Sequence, residues 1–251
     1  MPDHPVIPIL PAPVPIHQWS ISKAKIFGQC KLRAQLQYGA KIPEPERPLP
    51  PGKLEHANDR GTRLHTAAER FVQGLQPLIP ELSRFSAEFD SLRQLYIAGK
   101  VSLEGEWAVD DRWEATGWND KNVWLRLKLD AMVQLSEIEA TVIDYKSGRK
   151  FGNEVAHAEQ TQLYALATFL RYPSLEFIHT ELWYLDLPAG EDGAITQATF
   201  TRAQALRFKD RFTKMGMALT TCTQFPPSPN IFNCKWCPYG PKGTGHCTKG
   251  V

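Results

Sequence analysis

Two neighbouring stretches decide the fold: V-W-L-R-L-K-L-D-A-M-V-Q-L at 123–135 and T-V-I-D-Y-K-S-G at 141–148. Both alternate with a period of two, the signature of strands. In the first, Val123, Leu125, Leu127 and Leu129 point one way, while Trp124, Arg126, Lys128 and Asp130 point the other. In the second, Val142, Asp144 and Lys146 share one side, and Ile143 and Tyr145 take the opposite one. A short polar turn over 136–140 joins them as a hairpin and brings Asp130 near Asp144. Two carboxylates and an ammonium at one sheet end suit phosphodiester hydrolysis. The carboxylates hold Mg2+ or Mn2+, and the lysine offsets charge building on the phosphate. Taken alone, an Asp-x-Lys triplet is more often the charged outer face of an ordinary strand.

Working outward, V-S-L-E-G-E-W-A-V-D at 101–110 predicts a further strand, with Glu106 either behind the carboxylates or simply exposed. Upstream, Asn58–Gln73 and Glu81–Ala98 read as helices, and the four-residue spacing puts His65 and Glu69 on one face. A lone His on a helix is more commonly a packed residue than a ligand. Residues 20–40 also carry helical spacing, with Ser20 or Ser22 as cap, and a proline-rich loop follows over 41–53. Downstream, E-V-A-H-A-E-Q-T-Q-L-Y-A-L-A-T-F-L predicts a helix with Gln160 and Tyr164 one turn apart. They either contact phosphate or steady Lys146 and the Asp144 strand; helix packing is the plainer alternative. Residues 175–187 read as a strand and 201–219 as an amphipathic helix, whose Arg202, Arg207, Lys209, Arg211 and Lys214 line a DNA path or form a solvated face.

The chain has 251 residues, 42% of them hydrophobic, enough for one sizeable core. Its 29 Lys and Arg nearly balance 27 Asp and Glu, so net charge neither advertises nor excludes nucleic acid. The opening prolines interrupt any signal-like apolar run, and no stretch approaches the roughly 20 apolar residues of a membrane span. A cytoplasmic protein with no membrane association is expected. No phosphate-cradling G-x-x-x-x-G-K-[ST] segment occurs, so any ATP-driven motor is a partner. Five cysteines, an odd number, fit a reducing compartment and metal ligation better than disulfides.

At this point the chain resembles the RecB-like branch of the PD-(D/E)XK nucleases, including iron-sulfur exonucleases associated with CRISPR adaptation and phage recombination nucleases. G-T-R-L-H at 61–65 looks like the family's histidine motif, L-K-L-D at 127–130 its acidic motif, V-I-D-Y-K at 142–146 its signature, and Q-T-Q-L-Y at 160–164 its Q-x-x-x-Y helix. The resemblance implies His65, Asp130, Asp144 and the Tyr145 carbonyl as metal ligands, Lys146 as the catalytic lysine, and Gln160 and Tyr164 as further site residues. It also implies a restriction-endonuclease-like α/β fold, a mixed central sheet flanked by helices, acting on DNA.

Cys234 and Cys237 lie in N-C-K-W-C-P-Y, Cys247 follows a glycine-rich gap, and Cys30 stands far upstream. Family members with a cluster use one cysteine before the nuclease core and three after it, which implies a [4Fe-4S] cluster here. The long gap before Cys247 departs from the usual spacing. Zinc is the competitor, with Cys30, Cys234, Cys237 and either His246 or Cys247. Cys222 reads as a plain thiol. The expected organisation is a proline-rich arm at 1–19 and a single nuclease domain at 20–251, with a catalytic core at about 55–190 and a cysteine lobe at about 220–251 plus Cys30. The expected activity is metal-dependent DNA exonucleolysis in recombination, repair or CRISPR adaptation, with partners from those systems or a homo-oligomer. A DNA-binding subunit without catalysis, held by zinc or a cluster, is the alternative.

Overall fold

The computed structural model describes residues 10–148, 150–187 and 190–250. Helices α1 (Ile21–Gln29) and α2 (Lys31–Ala34) lead into a π-helical turn (Gln35–Gly39). Helix α3 (Ala57–Val72) follows the proline-rich loop, and a 3-10 turn (Pro80–Phe85) runs into α4 (Ser86–Ile97). Strands β1 (Val101–Val109), β2 (Ala115–Thr116), β3 (Leu125–Gln134) and β4 (Glu139–Lys146) come next, then α5 (Glu154–Arg171), β5 (Phe177–Tyr184) and β6 (Ile195–Thr201). Helices α6 (Arg202–Leu206), α7 (Lys209–Thr220) and α8 (Ile231–Cys234) complete the described chain. The sheet order is β2-β1-β3-β4-β5-β6. Only the β4–β5 pair is parallel, with α5 as its crossover, so the sheet is mixed as expected.

Each face of the sheet buries its own apolar layer. On one side α3 and α4 supply Leu64, Phe71 and Phe89 against Ile143, Tyr145 and Trp183. On the other, α5 and α7 supply Leu163, Phe169 and Phe212 against Leu125, Leu127, Leu129 and Val142. Strand β3 contributes to both layers, because Ala131 and Val133 pack with the α3–α4 side whereas Leu125, Leu127 and Leu129 pack with the α5 side. Leu125, Leu127 and Leu129 share one layer, as the alternation predicts, and the faces exchange only beyond Asp130. Opposite that point, Glu104 has φ 45° and is missing from the ladder between Leu103↔Ala131 and Gly105↔Leu129. A left-handed glutamate costs on the order of 1–2 kcal/mol, so its presence marks a place where the sheet is forced to twist.

Several expectations are corrected. The helix expected across residues 20–40 breaks at Cys30, whose extended backbone (φ −160°, ψ 112°) ends α1 and precedes α2. The helix at 201–219 is two, broken at Arg207 and Phe208. Edge strand β6 was not foreseen. Residues 1–9 of the expected arm lie outside the described residues, but its end does not behave as an arm. Ile16 and Trp19 are buried, and Trp19 bridges to Leu125, donating from N to Trp124 O at 2.8 Å and accepting from Arg126 N at 3.1 Å. Among the described residues, no helix is long and apolar enough to cross a membrane.

Candidate active site

The β3–β4 ladder ends at Ala131↔Ile143, one step short of Asp130 and Asp144. Beyond it the strands part into a fork, and the two carboxylates sit at the crotch, only 9% and 6% exposed. Asp130 replaces the missing ladder bond with its side chain, Oδ2 accepting from Tyr145 N at 2.5 Å. Its Oδ1 lies 2.7 Å from His65 Nδ1 on α3. Burial pushes the Asp130 carboxyl up, opposed by the His65 hydrogen bond. Burial also disfavours the His65 imidazolium, but the hydrogen bond and charge of Asp130 outweigh it and lift the histidine above its usual range.

On the other prong, Lys146 Nζ is 2.6 Å from Asp144 Oδ2 and donates to Gln160 Oε1 at 2.6 Å. Gln160 Nε2 donates to Asp144 Oδ1 at 3.2 Å and to the Tyr164 hydroxyl at 2.6 Å. That hydroxyl has one proton for two acceptors, Asp144 Oδ1 and Lys128 O, both at 2.9 Å. Tyr164 therefore bridges the prongs. Burial, and then the Asp144 charge, keep its phenol well above the usual range, so it stays a neutral donor. Gln160 and Tyr164 are thus hydrogen-bonded to Lys146 and Asp144, the geometry the steadying role calls for, and both also line the adjoining cleft.

Helix α3 is registered against this fork by residues just before His65. Arg60 donates to Ser147 O at 3.0 Å and forks onto Asp186 at 2.6 and 3.2 Å. At Gly61 a Cβ would stand 3.1 Å from Ser147 Oγ, a tight approach that the serine side chain would have to relieve. The Arg60–Asp186 lock was not foreseen, although Arg60 abuts that motif. Glu106 is engaged by Lys128 at 3.1 Å and stands half-exposed, away from the carboxylates. Arg202 donates to the carbonyls of Phe169, Tyr172, Pro173 and Leu175, closing the end of α5. Arg211 bonds Gln162, and Lys214 pairs with Asp210.

Among the described residues, no three His, Cys, Asp or Glu side chains converge on a point that would hold one ion. Mg2+ does not need three: it keeps several waters and binds through one or two carboxylates plus substrate phosphate. Asp144 Oδ2 fits that demand. It is buried and anionic, and its partner is the Lys146 ammonium at 2.6 Å, with which a bound cation would share the carboxylate. The donor set of Asp130, Asp144 and the Tyr145 carbonyl is all oxygen, as hard cations prefer.

Cys30, Cys234, Cys237 and Cys247 line one small cavity, and none is in a disulfide. Ser228 N donates to Cys30 Sγ at 3.5 Å, Asn233 Nδ2 to Gln29 O at 2.7 Å, and buried Tyr239 to Ile42 O at 2.9 Å. Burial raises the Cys237 thiol, and the nearby Cys30 and Cys247 add to that. His246 is bonded to Thr244 at 2.8 Å, and Cys222 donates to Gln224 O at 3.0 Å outside the cavity lining.

The sequence model of the family described as the PD-(D/E)XK nuclease superfamily matches residues 18–241, which include the fork, α3 and α5. The chain belongs to the PD-(D/E)XK nuclease superfamily. Members are metal-dependent nucleases, typically using Mg2+ or Mn2+ and acting on DNA, and the six-stranded sheet with flanking helices agrees with the superfamily's restriction-endonuclease-like fold. No curated protein matches the chain. Among solved structures, SSO0001 is similar at 13% identity, covering 89% of this chain and 83% of that one, with a TM-score of 0.37.

Proposed function

We propose that this superfamily member is a DNA exonuclease of the RecB-like branch, acting in recombination, repair or CRISPR adaptation. One observation supports the catalytic assignment: a sheet fork that presents the buried carboxylates of Asp130 and Asp144 together, with the Lys146 ammonium ion-paired to Asp144. Asp130, Asp144 and the Tyr145 carbonyl hold Mg2+ or Mn2+, with His65 as a further ligand or as the group orienting Asp130. The cation, when bound, supplies Lewis-acid stabilisation of the scissile phosphate and lowers the pKa of water.

The chain's own part follows from its geometry. Gln160 holds the Lys146 ammonium at the mouth of the fork, where it orients the attacking water and offsets the charge accumulating on the phosphate oxygens. Tyr164 keeps the prongs at a fixed separation through Lys128 O and Asp144. Because the hydroxyl is deep and neutral, it positions the carboxylates without competing for the proton in flight.

Four cysteines lining one cavity, one from the start of the chain and three from its end, support a [4Fe-4S] cluster that ties those segments together, with zinc as the competing occupant. Iron and acid-labile sulfide in anaerobically prepared protein support the cluster; zinc without sulfide rejects it.

The test of activity is digestion of end-labelled linear and covalently closed circular DNA with Mg2+ or Mn2+, using wild type and Lys146→Ala. Loss of linear DNA alone, abolished by the substitution, is the expected outcome. Cleavage of the closed circle makes the enzyme an endonuclease. Equal cleavage by wild type and variant rejects the site.

A further inference from the structure

Beside the fork lies a cleft of about 700 Å3, bounded by the start of α1, the outer half of β3 and the exposed face of α5. Lys146, Gln160 and Tyr164 form its inner wall, so it opens directly onto the candidate catalytic lysine. Its charge is one-sided. Lys23, Lys25, Arg126, Lys128 and Lys146 line it against a single lining carboxylate, Glu159. Lys128 is taken up by Glu106 and Lys146 by Asp144, but among the described residues neither Lys23 nor Arg126 is in an ion pair.

Lys23 and Arg126 are also costly where they stand. Burial first, and then the like charges of Arg126 and Lys41, depress the Lys23 ammonium, which donates to Gln18 O at 3.2 Å. Arg126 Nε is buried with no hydrogen-bond partner, although a terminal nitrogen donates to Trp118 O at 2.6 Å. A buried donor left unsatisfied costs about 1–3 kcal/mol. An anion in the cleft would relieve the repulsion and satisfy the donor. Arg126 also lies over the Trp118 ring, 4.8 Å from its centroid, and the half-exposed indole lines the same cleft. Phosphate-seeking cations beside an aromatic platform are the construction that holds unpaired nucleotides. The volume, about 700 Å3, leaves room for one or two nucleotides of a strand inside the cleft.

We propose that this cleft is the path of a single DNA strand into the fork, with Arg126 and Lys23 receiving its phosphates and Trp118 stacking on an unpaired base. The proposal deepens the nuclease reading and rests on it for the direction of the strand, but binding is measurable without cleavage. The experiment is fluorescence anisotropy of a labelled single-stranded oligonucleotide in EDTA, against the same sequence as a duplex, over a range of salt. Trp118→Ala is expected to weaken strand binding about 5- to 150-fold, with Trp118→Phe retaining most of it. Replacing Arg126 and Lys23 together with Gln is expected to flatten the salt dependence by about 1.4 in log–log slope, about 0.7 for each phosphate no longer engaged. Thermal melts of each variant separate lost binding from lost folding. Wild-type-like binding by folded variants, or duplex binding as tight as that of the strand, overturns the proposal. The two readings fail separately. A wild type that cuts while the variants bind normally sinks only the strand path, and one that binds through these residues but never cuts sinks only the nuclease.

Discussion

The fork and the cysteine cavity sit in the same chain but are held in opposite ways. Around Asp144, Lys146, Gln160 and Tyr164 nearly every polar atom has a partner within the chain, and the network rests on a sheet with apolar layers on both faces. The segment carrying Cys234, Cys237 and Cys247 has one four-residue helix, turns, and a small cluster of Leu32, Leu36 and Tyr239. Ile231, Phe232 and Trp236 there remain largely exposed. The fork rests on the sheet, whereas the cysteine segment is held by turn hydrogen bonds, Asn233 to Gln29 O and the buried Tyr239 to Ile42 O. A rigid apolar platform holds charged groups at fixed separations, whereas a segment with few apolar contacts depends more on individual hydrogen bonds.

That contrast can be broken most sharply at Asp144. Asp144→Asn keeps the shape and an acceptor for Gln160 but removes the ion pair with Lys146, so melting should fall by several degrees while cleavage falls by about 10²–10³, the scale of losing one transition-state electrostatic group. A large drop in melting temperature with activity retained would show the fork to be structural. Cys237→Ser should do the reverse. If a metal group bound at about 1,000 times its dissociation constant contributes roughly 4 kcal/mol, its loss lowers the melting temperature by about 8–16 °C for a chain of this size. Residual activity of the folded fraction should remain, and unchanged melting would deny the cavity any bracing role.

Smaller effects sharpen the comparison. Tyr164→Phe removes the hydroxyl between the prongs, costing about 1–3 kcal/mol for the partners left unsatisfied and lowering cleavage about tenfold. Unaltered rates would mean that Tyr164 only packs. Trp236→Ser should change stability by less than about 0.5 kcal/mol, as expected of an exposed side chain, and a denaturant melt showing more would reveal a contact made by that face.

The parts legible in the sequence were those whose signal is periodic. Alternation in β3 and β4 located Asp130, Asp144 and Lys146, and one helical turn paired Gln160 with Tyr164. What escaped has non-local or conformational causes. L-R-L-K-L-D alternates without a flaw, yet the faces exchange beyond Asp130 because Glu104, on a neighbouring strand, adopts a left-handed backbone that no residue type announces. Strand β6 is an edge, largely solvated on both faces, so I-T-Q-A-T-F-T lacks a clean pattern. Trp118 and Arg126 became a functional pair only once the fold placed α1 across from them.

The contact of Cys30 with Ser228 joins residues 198 positions apart. At translation speeds of about 5–20 residues per second, roughly 10–40 s separate the emergence of the two. During that interval α1, together with the cleft wall it forms, has no cysteine partner to close against. The nascent chain thus passes through a brief period, after Thr201 and before Ser228 emerge, in which every strand of the sheet is available but Cys30 has not met the segment it contacts.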